Sequence, residues 1–273
     1  MPCSFGYRPE TSATSAIEDL YKELRCGRYH YIVEADIKGF FDNIDHEILI
    51  DMLKQRIDDK SFIRLIQKWL KAGVLDTDDK VICPATGTNQ GGIVSPVLAN
   101  IYLHYALDIW FEQIVKPQSK GIAYLWRYAD DFVCAFSNKW DAERFYNELG
   151  KRLALFNLQL AVDKTNIIRF SRNQAKDKTH FDFLGFEFRW GKSRTGKMAL
   201  KRRTSPKKLR KAIANFALWC KDNRNLRVST LFEKINPKLR GYYNYYGLSF
   251  QLQSISYLFL LGESELVKVV KSP

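Results

Sequence analysis

Two adjacent carboxylates, Asp130 and Asp131, interrupt an otherwise apolar part of the sequence. The runs on either side, 122–128 and 132–136, are rich in aromatic and β-branched residues, which is typical of β-strands. Charged side chains are rarely buried without a partner, so a functional turn between two strands explains the pair better than a packed core does. Two carboxylates this close repel each other unless divalent cations neutralise them. The pair therefore predicts a metal-binding hairpin turn.

A third acid, Asp36, lies near the end of another apolar run, 31–37, that also predicts a strand. Carboxylate oxygens suit Mg²⁺ or Mn²⁺, which bind through a few carboxylates together with substrate phosphates. Three such acids predict a two-metal site for in-line phosphoryl transfer, the chemistry of a nucleotidyltransferase. For Asp130 and Asp131 alone, an ordinary Asp-rich turn is a competing interpretation, and the presence of Asp36 weighs against it.

A wider set of motifs includes these acids. Five segments resemble motifs A to E of reverse transcriptases in their order and spacing: 36–42, 90–96, 128–131, 160–165 and 183–188. Two further segments, 40–46 and 238–246, make the chain most similar to the maturases encoded by bacterial group II introns. The resemblance covers nearly the whole chain. Another bacterial lineage of reverse transcriptase, such as a retron or defence-system enzyme, stays open, although the segment 238–246 weighs against it.

The resemblance implies an α+β fold, in which a right-hand polymerase palm, an antiparallel sheet packed on helices, precedes a mainly helical thumb. The palm, with residual fingers, would occupy residues 1–195, and the thumb with a maturase-like RNA-binding region residues 196–273. Hydrophobic periodicity agrees with a mixed order of strands and helices. It predicts helices over 14–26, 46–56, 61–71, 96–115 and 140–155, and a largely helical chain from residue 201 onward.

The resemblance also implies which residues would bind metal. Asp36, Asp130 and Asp131 would be the catalytic ligands of two Mg²⁺ ions, with Mn²⁺ as a substitute. Ile37 would add its backbone carbonyl. Lys164 would lie near the triphosphate of the incoming nucleotide, and an ordinary solvated lysine is the competing interpretation.

Further residues would bind nucleotide or primer. Phe41 would lie under the sugar of the incoming deoxynucleotide and exclude a 2′-hydroxyl, unless it belongs to the core and Phe40 takes that place. The implied nucleotide-binding residues are Phe41, Gln90, Gly91, Gly92 and Lys164. A simple loop before the next helix is the competing interpretation of the paired glycines. The implied primer grip consists of Phe183, Leu184, Gly185 and Phe186.

Basic residues are concentrated in the C-terminal part of the chain. The whole chain holds 43 Lys and Arg against 30 Asp and Glu, a net charge of +13. Residues 1–160 hold 19 basic and 22 acidic side chains, and the remainder holds 24 and 8. The basic cluster is defined here as Lys201, Arg202, Arg203, Lys207, Lys208, Arg210 and Lys211. Its density predicts nucleic-acid binding with counterion release, and a solvated helix face is the alternative.

Together these features predict an RNA-directed DNA polymerase that extends a DNA or RNA primer with deoxynucleotides on an RNA template and binds structured intron RNA. Residues 3–10 resemble the end of the family's second conserved block, so the upstream fingers and their triphosphate-binding cations are expected to be missing. Arg8 and, as a weaker candidate, Arg127 would remain on the nucleotide side. The alternative function is a fingerless remnant that binds intron RNA as a splicing factor without synthesising DNA.

Other features of the sequence concern the setting of the protein. No run of residues is long and apolar enough for a membrane span, which predicts a soluble, cytoplasmic protein without membrane partners. Five scattered cysteines predict neither a disulfide framework nor a zinc site, and no zinc-containing endonuclease domain is expected. A homodimer stays an open alternative.

Overall fold

The structure is a computed structural model that describes residues 1–71, 74–75, 81–82, 86–88, 92–174 and 179–247. Contacts divide the chain into two compact units, the first Met1–Thr179 and the second beginning at His180. The domain division expected at residue 195 falls inside the second unit, between two of its strands, and stays a prediction. Each unit is described by itself.

The first unit is built on a four-stranded antiparallel sheet. Its strands are β1 (Tyr31–Ala35), β4 (Ala123–Tyr128), β5 (Asp131–Phe136) and β6 (Asn166–Arg169). Their order across the sheet is β4-β5-β1-β6, so β1 lies between strands from later parts of the chain. Two short strands, β2 (Val74–Leu75) and β3 (Val81–Ile82), pair separately.

Helices occupy most of the remaining first unit. They are α1 (Ala13–Leu24), α2 (His46–Lys54), α3 (Lys60–Lys71), α4 (Ser95–Leu103), α5 (Lys116–Gln118) and α6 (Lys139–Ala154). Short 3₁₀ turns lie at Phe40–Asp42, Val162–Lys164 and Arg172–Gln174. Helix α1 begins with a capping box in which Ser12 and Ser15 satisfy each other's backbone N–H groups. The helices expected from periodicity are present, with ends within a few residues of the expected ones.

The helix expected over 96–115 is longer and less regular than its sequence pattern indicates. After α4 the chain continues through two π-helical segments, His104–Asp108 and Phe111–Val115, directly into α5. Pro117, expected to lie beyond the helix, is therefore inside it. The proline is the next-to-last residue of α5, which directly follows the π-helical segment Phe111–Val115, so the helix ends soon after it.

Both faces of the central sheet are buried. Successive side chains of a strand point to opposite faces, so Leu125 joins the main core while Trp126 faces the other way. The indole N–H of Trp126 donates to the Asp19 carboxylate of α1 at 2.8 Å. On the main-core side, Phe136 packs against Phe145 of α6, with ring centroids 5.4 Å apart. Helices on both faces thus fix the position of β4 and β5.

The second unit is a three-stranded antiparallel sheet followed by two helices. Its elements are β7 (His180–Phe183), β8 (Phe186–Lys192), β9 (Met198–Thr204), α7 (Pro206–Asp222) and α8 (Val228–Tyr246). The strand order is β7-β8-β9. The expectation of a largely helical chain from residue 201 is wrong for residues 201–204, which belong to β9. Pairing of β9 along the whole of β8 outweighs the helix propensity of its lysine and arginines.

Two further properties concern the described residues as a set. None of their helices has the length and apolar character needed to cross a membrane. Cys3, Cys134 and Cys220 are buried free thiols, and Cys26 is an exposed one. Burial raises the pKa of the Cys3 thiol to about 12, so this thiol stays protonated at neutral pH.

Candidate active site

Asp130 and Asp131 lie at the tip of the hairpin formed by β4 and β5. Tyr128 pairs with Asp131, so Ala129 and Asp130 form a two-residue turn. Ala129 adopts a left-handed conformation with φ of 55°, which matches the twist of a tight hairpin but is unfavourable for a residue with a Cβ. The turn brings both carboxylates to one end of the sheet, as the sequence predicts, with Asp131 exposed and Asp130 partly buried.

Asp36 reaches the same end of the sheet from a strand almost one hundred residues earlier. The register pairs Ala35 with Phe132, so Asp36 follows β1 where β5 begins with Asp131. Burial raises the pKa of the Asp130 carboxyl above its ordinary value, and the negative charge of Asp36 raises it further. A divalent cation relieves the electrostatic repulsion between carboxylates that lie close together. The oxygen donors of these three acids therefore fit Mg²⁺ or Mn²⁺.

Ile37 belongs to the core, because its side chain is only 3% exposed. It forms an isolated bridge with Leu160, and the N–H of Ala161 donates to the carbonyl of Asp36 at 2.8 Å. Only the backbone of Ile37 could therefore contribute to a metal site. These contacts also fix the end of β1 and the backbone from which the Asp36 side chain extends.

Lys164 is the cation that the structure places beside the acids. Its Nζ lies 2.8 Å from Oδ2 of Asp36, and both side chains contact solvent. The hydrogen bond to Asp36 and the charge of that carboxylate raise the pKa of Lys164. The 3₁₀ turn Val162–Lys164 positions the lysine. Its expected place near the nucleotide triphosphate stays a prediction.

The two candidate phenylalanines differ in exposure. Phe40 is 2% exposed and packs against Tyr102, whereas Phe41 is only partly buried. Phe41 is therefore the one whose ring can contact a ligand. The turn that carries it follows Gly39, whose φ is 52°.

Gly87 is a structural contributor to this turn that the sequence pattern did not single out. Its φ is 92°, and an added Cβ would lie 2.9 Å from the Phe41 carbonyl oxygen. The same carbonyl accepts the N–H of Thr88 at 2.8 Å. The carbonyl of Gly87 in turn contacts Nε2 of His46 at 2.6 Å. A single glycine in the sequence gives little signal of so close a backbone approach.

The expected nucleotide loop is only partly described. Gln90 and Gly91 lie outside the described residues. Gly92 is described, and its carbonyl accepts the N–H of Ser95 at 3.2 Å just as α4 begins. The neighbouring Ile93 side chain is 95% exposed.

Arg127, the weaker candidate for the nucleotide side, is instead buried inside the first unit. Its side chain is 1% exposed and forms a buried ion pair with Asp108 at 2.6 Å, so it cannot bind a triphosphate. Arg8 remains exposed and donates to the carbonyl of Met1 at 2.7 Å. One signal for the buried pair is present in the sequence, a lone acid at position 108 within an apolar helical run.

The primer-grip segment forms the turn of the β7–β8 hairpin. Leu184 and Gly185 both have positive φ, 49° and 80°, which defines a tight two-residue turn. Phe183 and Phe186 are buried, so the turn backbone and the Leu184 side chain are the accessible parts. Tyr245 of α8 donates its hydroxyl to the Leu184 carbonyl at 3.0 Å, and the turn is thereby fixed on the helix.

The basic cluster is not uniform. Arg203 forms a two-point ion pair with Glu187, at 2.8 and 3.0 Å, and Arg202 is partly buried. The exposed members are Lys201, Lys207, Lys208, Arg210 and Lys211. Lys207 and Lys208 lie in the first turn of α7, which contains no acidic residue. Positive charge is unfavourable at a helix N-terminus, so stability does not account for these lysines, whereas binding of an anion would.

A family model described as "Reverse transcriptase (RNA-dependent DNA polymerase)" matches residues 2–188. The group II intron-encoded protein LtrA of Lactococcus lactis is 29% identical, over 98% of this chain and 57% of that protein. Protein YkfC of Escherichia coli is 30% identical, over 79% of this chain and 63% of that protein. The chain thus spans less than two thirds of the length of these relatives.

Solved structures of other proteins resemble this chain in their fold. Telomerase from Candida tropicalis matches 99% of this chain and 46% of its own, with a TM-score of 0.56 and 13% identity. Telomerase from Candida albicans, solved with a fragment of telomeric RNA, matches 100% of this chain and 50% of its own, with a TM-score of 0.50 and 15% identity. These similarities confirm the predicted α+β class, with antiparallel sheets and helices as in telomerase reverse transcriptase.

Proposed function

The chain belongs to the reverse transcriptase family and is related to group II intron-encoded proteins, and we propose that it is an RNA-directed DNA polymerase of the group II intron maturase type. The observation that carries the proposal is the convergence of Asp36, Asp130 and Asp131. Acids from two strands that are far apart in the sequence meet at one end of the sheet, where burial and then the charge of Asp36 raise the pKa of Asp130. Ordinary turn-forming aspartates have no reason to be gathered in this way.

In this proposal the chain's own residues hold and orient the reactants. Asp36, Asp130 and Asp131 are the metal ligands, with the Ile37 carbonyl as a further donor. Two Mg²⁺ ions, when bound, would activate the primer 3′-hydroxyl and stabilise the charge on the reacting phosphate. Lys164 adds a positive charge beside the acids, where it would draw in the triphosphate of a deoxynucleotide.

Other residues would select and position the substrates. The partly exposed ring of Phe41 would lie against the sugar, and its bulk would oppose a 2′-hydroxyl. Gln90, Gly91 and Gly92 would approach the nucleotide and template through the backbone. The Leu184–Gly185 turn would contact the primer end.

The proposed partners are an RNA template with a DNA or RNA primer, and structured intron RNA. Five cations of the basic cluster are exposed, and among the described residues no ion pair neutralises their charge. These cations therefore support nucleic-acid binding. The telomerase of Candida albicans was solved with RNA bound, which supports the same class of partner for this fold.

A second candidate function is RNA binding in splicing without DNA synthesis. It is favoured by the location of the basic cluster in the second unit, whereas the acids belong to the first. RNA binding could therefore persist when synthesis is absent. Replacing the acids should abolish DNA synthesis and leave RNA binding, which separates the two functions.

Primer extension on an annealed RNA template, with Mg²⁺ and deoxynucleotides, tests the proposal. The parent chain is compared with Asp130→Asn/Asp131→Asn and with a matched control, Asp51→Asn/Asp58→Asn, which changes two exposed acids of the same unit. We expect extension by the parent and the control and none by the first variant. If the acid variant extends as well as the parent, the metal assignment is wrong. If no protein extends but all bind RNA tightly, the second candidate function is supported.

A further inference from the structure

Arg127 makes an unusually complete set of hydrogen bonds behind the acid turn. Its Nε and Nη2 donate to the two carboxylate oxygens of Asp108 at 2.7 and 2.6 Å. Nη2 also donates to Oγ of Ser4 at 2.9 Å, and Nη1 to Oδ1 of Asn100 at 2.8 Å. The fifth bond runs from Nη1 to the backbone carbonyl of Ala129 at 2.9 Å. All five N–H groups of the guanidinium are therefore used, and a planar fork of this kind holds one orientation.

The carbonyl that receives the fifth bond belongs to the strained residue of the hairpin. Ala129 is left-handed, a conformation that persists only when its surroundings impose it. Its peptide leads directly into Asp130. A side chain that fixes the Ala129 carbonyl therefore also fixes the direction in which the Asp130 carboxylate leaves the turn.

The backbone beside the turn is fixed as well. Arg127 exchanges backbone hydrogen bonds with the N-terminal segment, donating to Cys3 at 2.8 Å and accepting from Phe5 at 2.9 Å. Gly6 then passes so close to the turn that an added Cβ would lie 2.5 Å from the Ala129 nitrogen. Asn100 joins both parts, because its amide donates to the Gly6 carbonyl at 2.6 Å.

Asp108 supplies the charge that keeps the guanidinium in place. It is 1% exposed and ends the π-helical segment His104–Asp108. Widened helical turns of this kind are frequent at functional sites. The bond from Nη1 to the Ala129 carbonyl satisfies a buried N–H of the guanidinium and also joins the ion pair to the strained turn.

We propose that Arg127, anchored by Asp108, is the positioning residue of the metal-binding turn: it holds the Ala129 carbonyl so that Asp130 and Asp131 are oriented to receive divalent cations. This inference rests on the proposed function, because it concerns the same acids. A positioning role of Arg127 differs from a purely structural one in its effect on metal binding. Loss of the guanidinium fork should weaken metal affinity more than an equal loss of stability elsewhere does.

Direct binding of Mn²⁺, followed by the electron paramagnetic resonance of the free ion, tests the inference without requiring activity. Arg127→Lys keeps the charge but not the fork that bonds Ala129. Leu149→Ala, in the buried face of α6, is the control for lost core stability. Asp130→Asn/Asp131→Asn identifies the binding that belongs to this site. Thermal unfolding is measured for every variant.

Outer-shell partners of metal ligands typically change metal affinity by about 10–100-fold. We therefore expect Arg127→Lys to weaken Mn²⁺ binding by about tenfold or more, while Leu149→Ala leaves it within about twofold. In primer extension, the Mg²⁺ concentration for half-maximal rate should rise in parallel, and excess Mg²⁺ should restore much of the rate. Unchanged Mn²⁺ affinity in folded Arg127→Lys would overturn the proposal, as would a parent that binds no Mn²⁺.

A milder variant covers the case in which Arg127→Lys does not fold. Ser4→Ala/Asn100→Ala leaves the ion pair with Asp108 but removes two of the bonds that orient the guanidinium. An affinity for Mn²⁺ weakened about two- to fivefold is expected, and an unchanged one contradicts the proposal. A parent that binds Mn²⁺ at the acids but does not extend a primer would reject the polymerase function alone, so the two failures are distinguishable.

Discussion

The Asp130 carboxyl is harder to ionise than an ordinary aspartate, because burial and the neighbouring Asp36 charge both raise its pKa. Lys164 partly offsets this accumulation of negative charge through its contact with Asp36. Asp36 and Asp130 were predictable from the sequence because each stands out against an apolar run, and Lys164 was expected from the family resemblance. The Arg127 network was not predictable in the same way. Its side-chain partners lie 19, 27 and 123 residues away along the chain, and only the fold brings them together.

Replacing Lys164 with Gln should affect catalysis far more than stability. The lysine is largely solvent-exposed, so its loss should leave the thermal unfolding temperature nearly unchanged. Removal of a charge that stabilises the reacting phosphates typically lowers a rate by about 10²-fold or more. Single-turnover nucleotide incorporation measures this effect, with Lys54→Gln on α2 as the control. Equal rates for the two variants would count against a role for Lys164.

The buried Asp108 predicts a specific loss of stability in acid. Burial alone would raise its pKa, but the hydrogen bonds and charge of Arg127, together with His104, hold the pKa below its ordinary value. Because the folded pKa lies below the unfolded one, this stabilisation is complete above an unfolded pKa of about 4 and is lost as the pH falls through the folded pKa.

Urea unfolding of the parent and of Asp108→Asn, followed from pH 7 down to about pH 3, measures this contribution. At neutral pH the variant should be less stable by about 3–5 kcal/mol, since it leaves the Arg127 charge buried without a counter-charge. The difference should shrink below about pH 4, where the Asp108 carboxyl of the unfolded parent begins to bind a proton while that of the folded parent stays ionised. A difference that stays constant over this range would exclude the depressed pKa.

The elements of the fold were predictable to different degrees. Helices such as α6 follow from apolar residues at helical spacing, and the β4–β5 hairpin follows from two apolar runs around a polar turn. Strand β9 was missed because its basic residues favour helix locally, whereas pairing with β8 is a long-range effect. The continuation of the long helix through Pro117 was missed for a similar reason, since π-helical turns depend on packing and not on a local sequence signal.

Two glycine substitutions test the elements directly. Gly185 has φ of 80° in the β7–β8 turn, and an added Cβ would lie 2.9 Å from the Tyr246 hydroxyl. Gly150 lies within α6, with nothing near the position of an added Cβ. We expect Gly185→Ala to destabilise the protein by about 1–2 kcal/mol. Gly150→Ala should stabilise it by roughly 0.5–1 kcal/mol. Unfolding in urea gives both values, and effects of the same sign would contradict the described backbone.

At the scale of the whole molecule, charge and chemistry are segregated along the chain. Residues 1–160 carry a small acidic excess, whereas the remainder carries the basic excess. The acids of the candidate active site belong to the first compact unit, and the basic cluster belongs to the second. Composition alone predicted a polyanionic partner. It did not show that Arg203 is already paired with Glu187, because that pairing depends on the register of β8 and β9.

Salt dependence of RNA binding tests the basic cluster. Each phosphate contact to single-stranded nucleic acid contributes about 0.7 to the slope of log affinity against log salt. Replacing Lys207, Lys208, Arg210 and Lys211 with Gln should reduce that slope by about 3 if all four contact phosphates. The control replaces four exposed cations of the first unit: Lys54, Lys60, Arg64 and Lys68. If the control reduces the slope more than the cluster variant does, RNA binding belongs to the first unit and this prediction is wrong.

The central claim is that acids from two parts of the chain that are far apart in the sequence form one metal site for DNA synthesis. Single-nucleotide incorporation on an RNA template tests it, with Asp36→Asn, Asp130→Asn/Asp131→Asn and the triple variant measured side by side. Residues that act as a unit are strongly non-additive, so each variant should lose about 10²-fold or more and the triple variant little beyond that. RNA affinity should stay close to that of the parent. Asp36→Asn retaining parental incorporation, or losses that simply multiply in the triple variant, would contradict a single shared site.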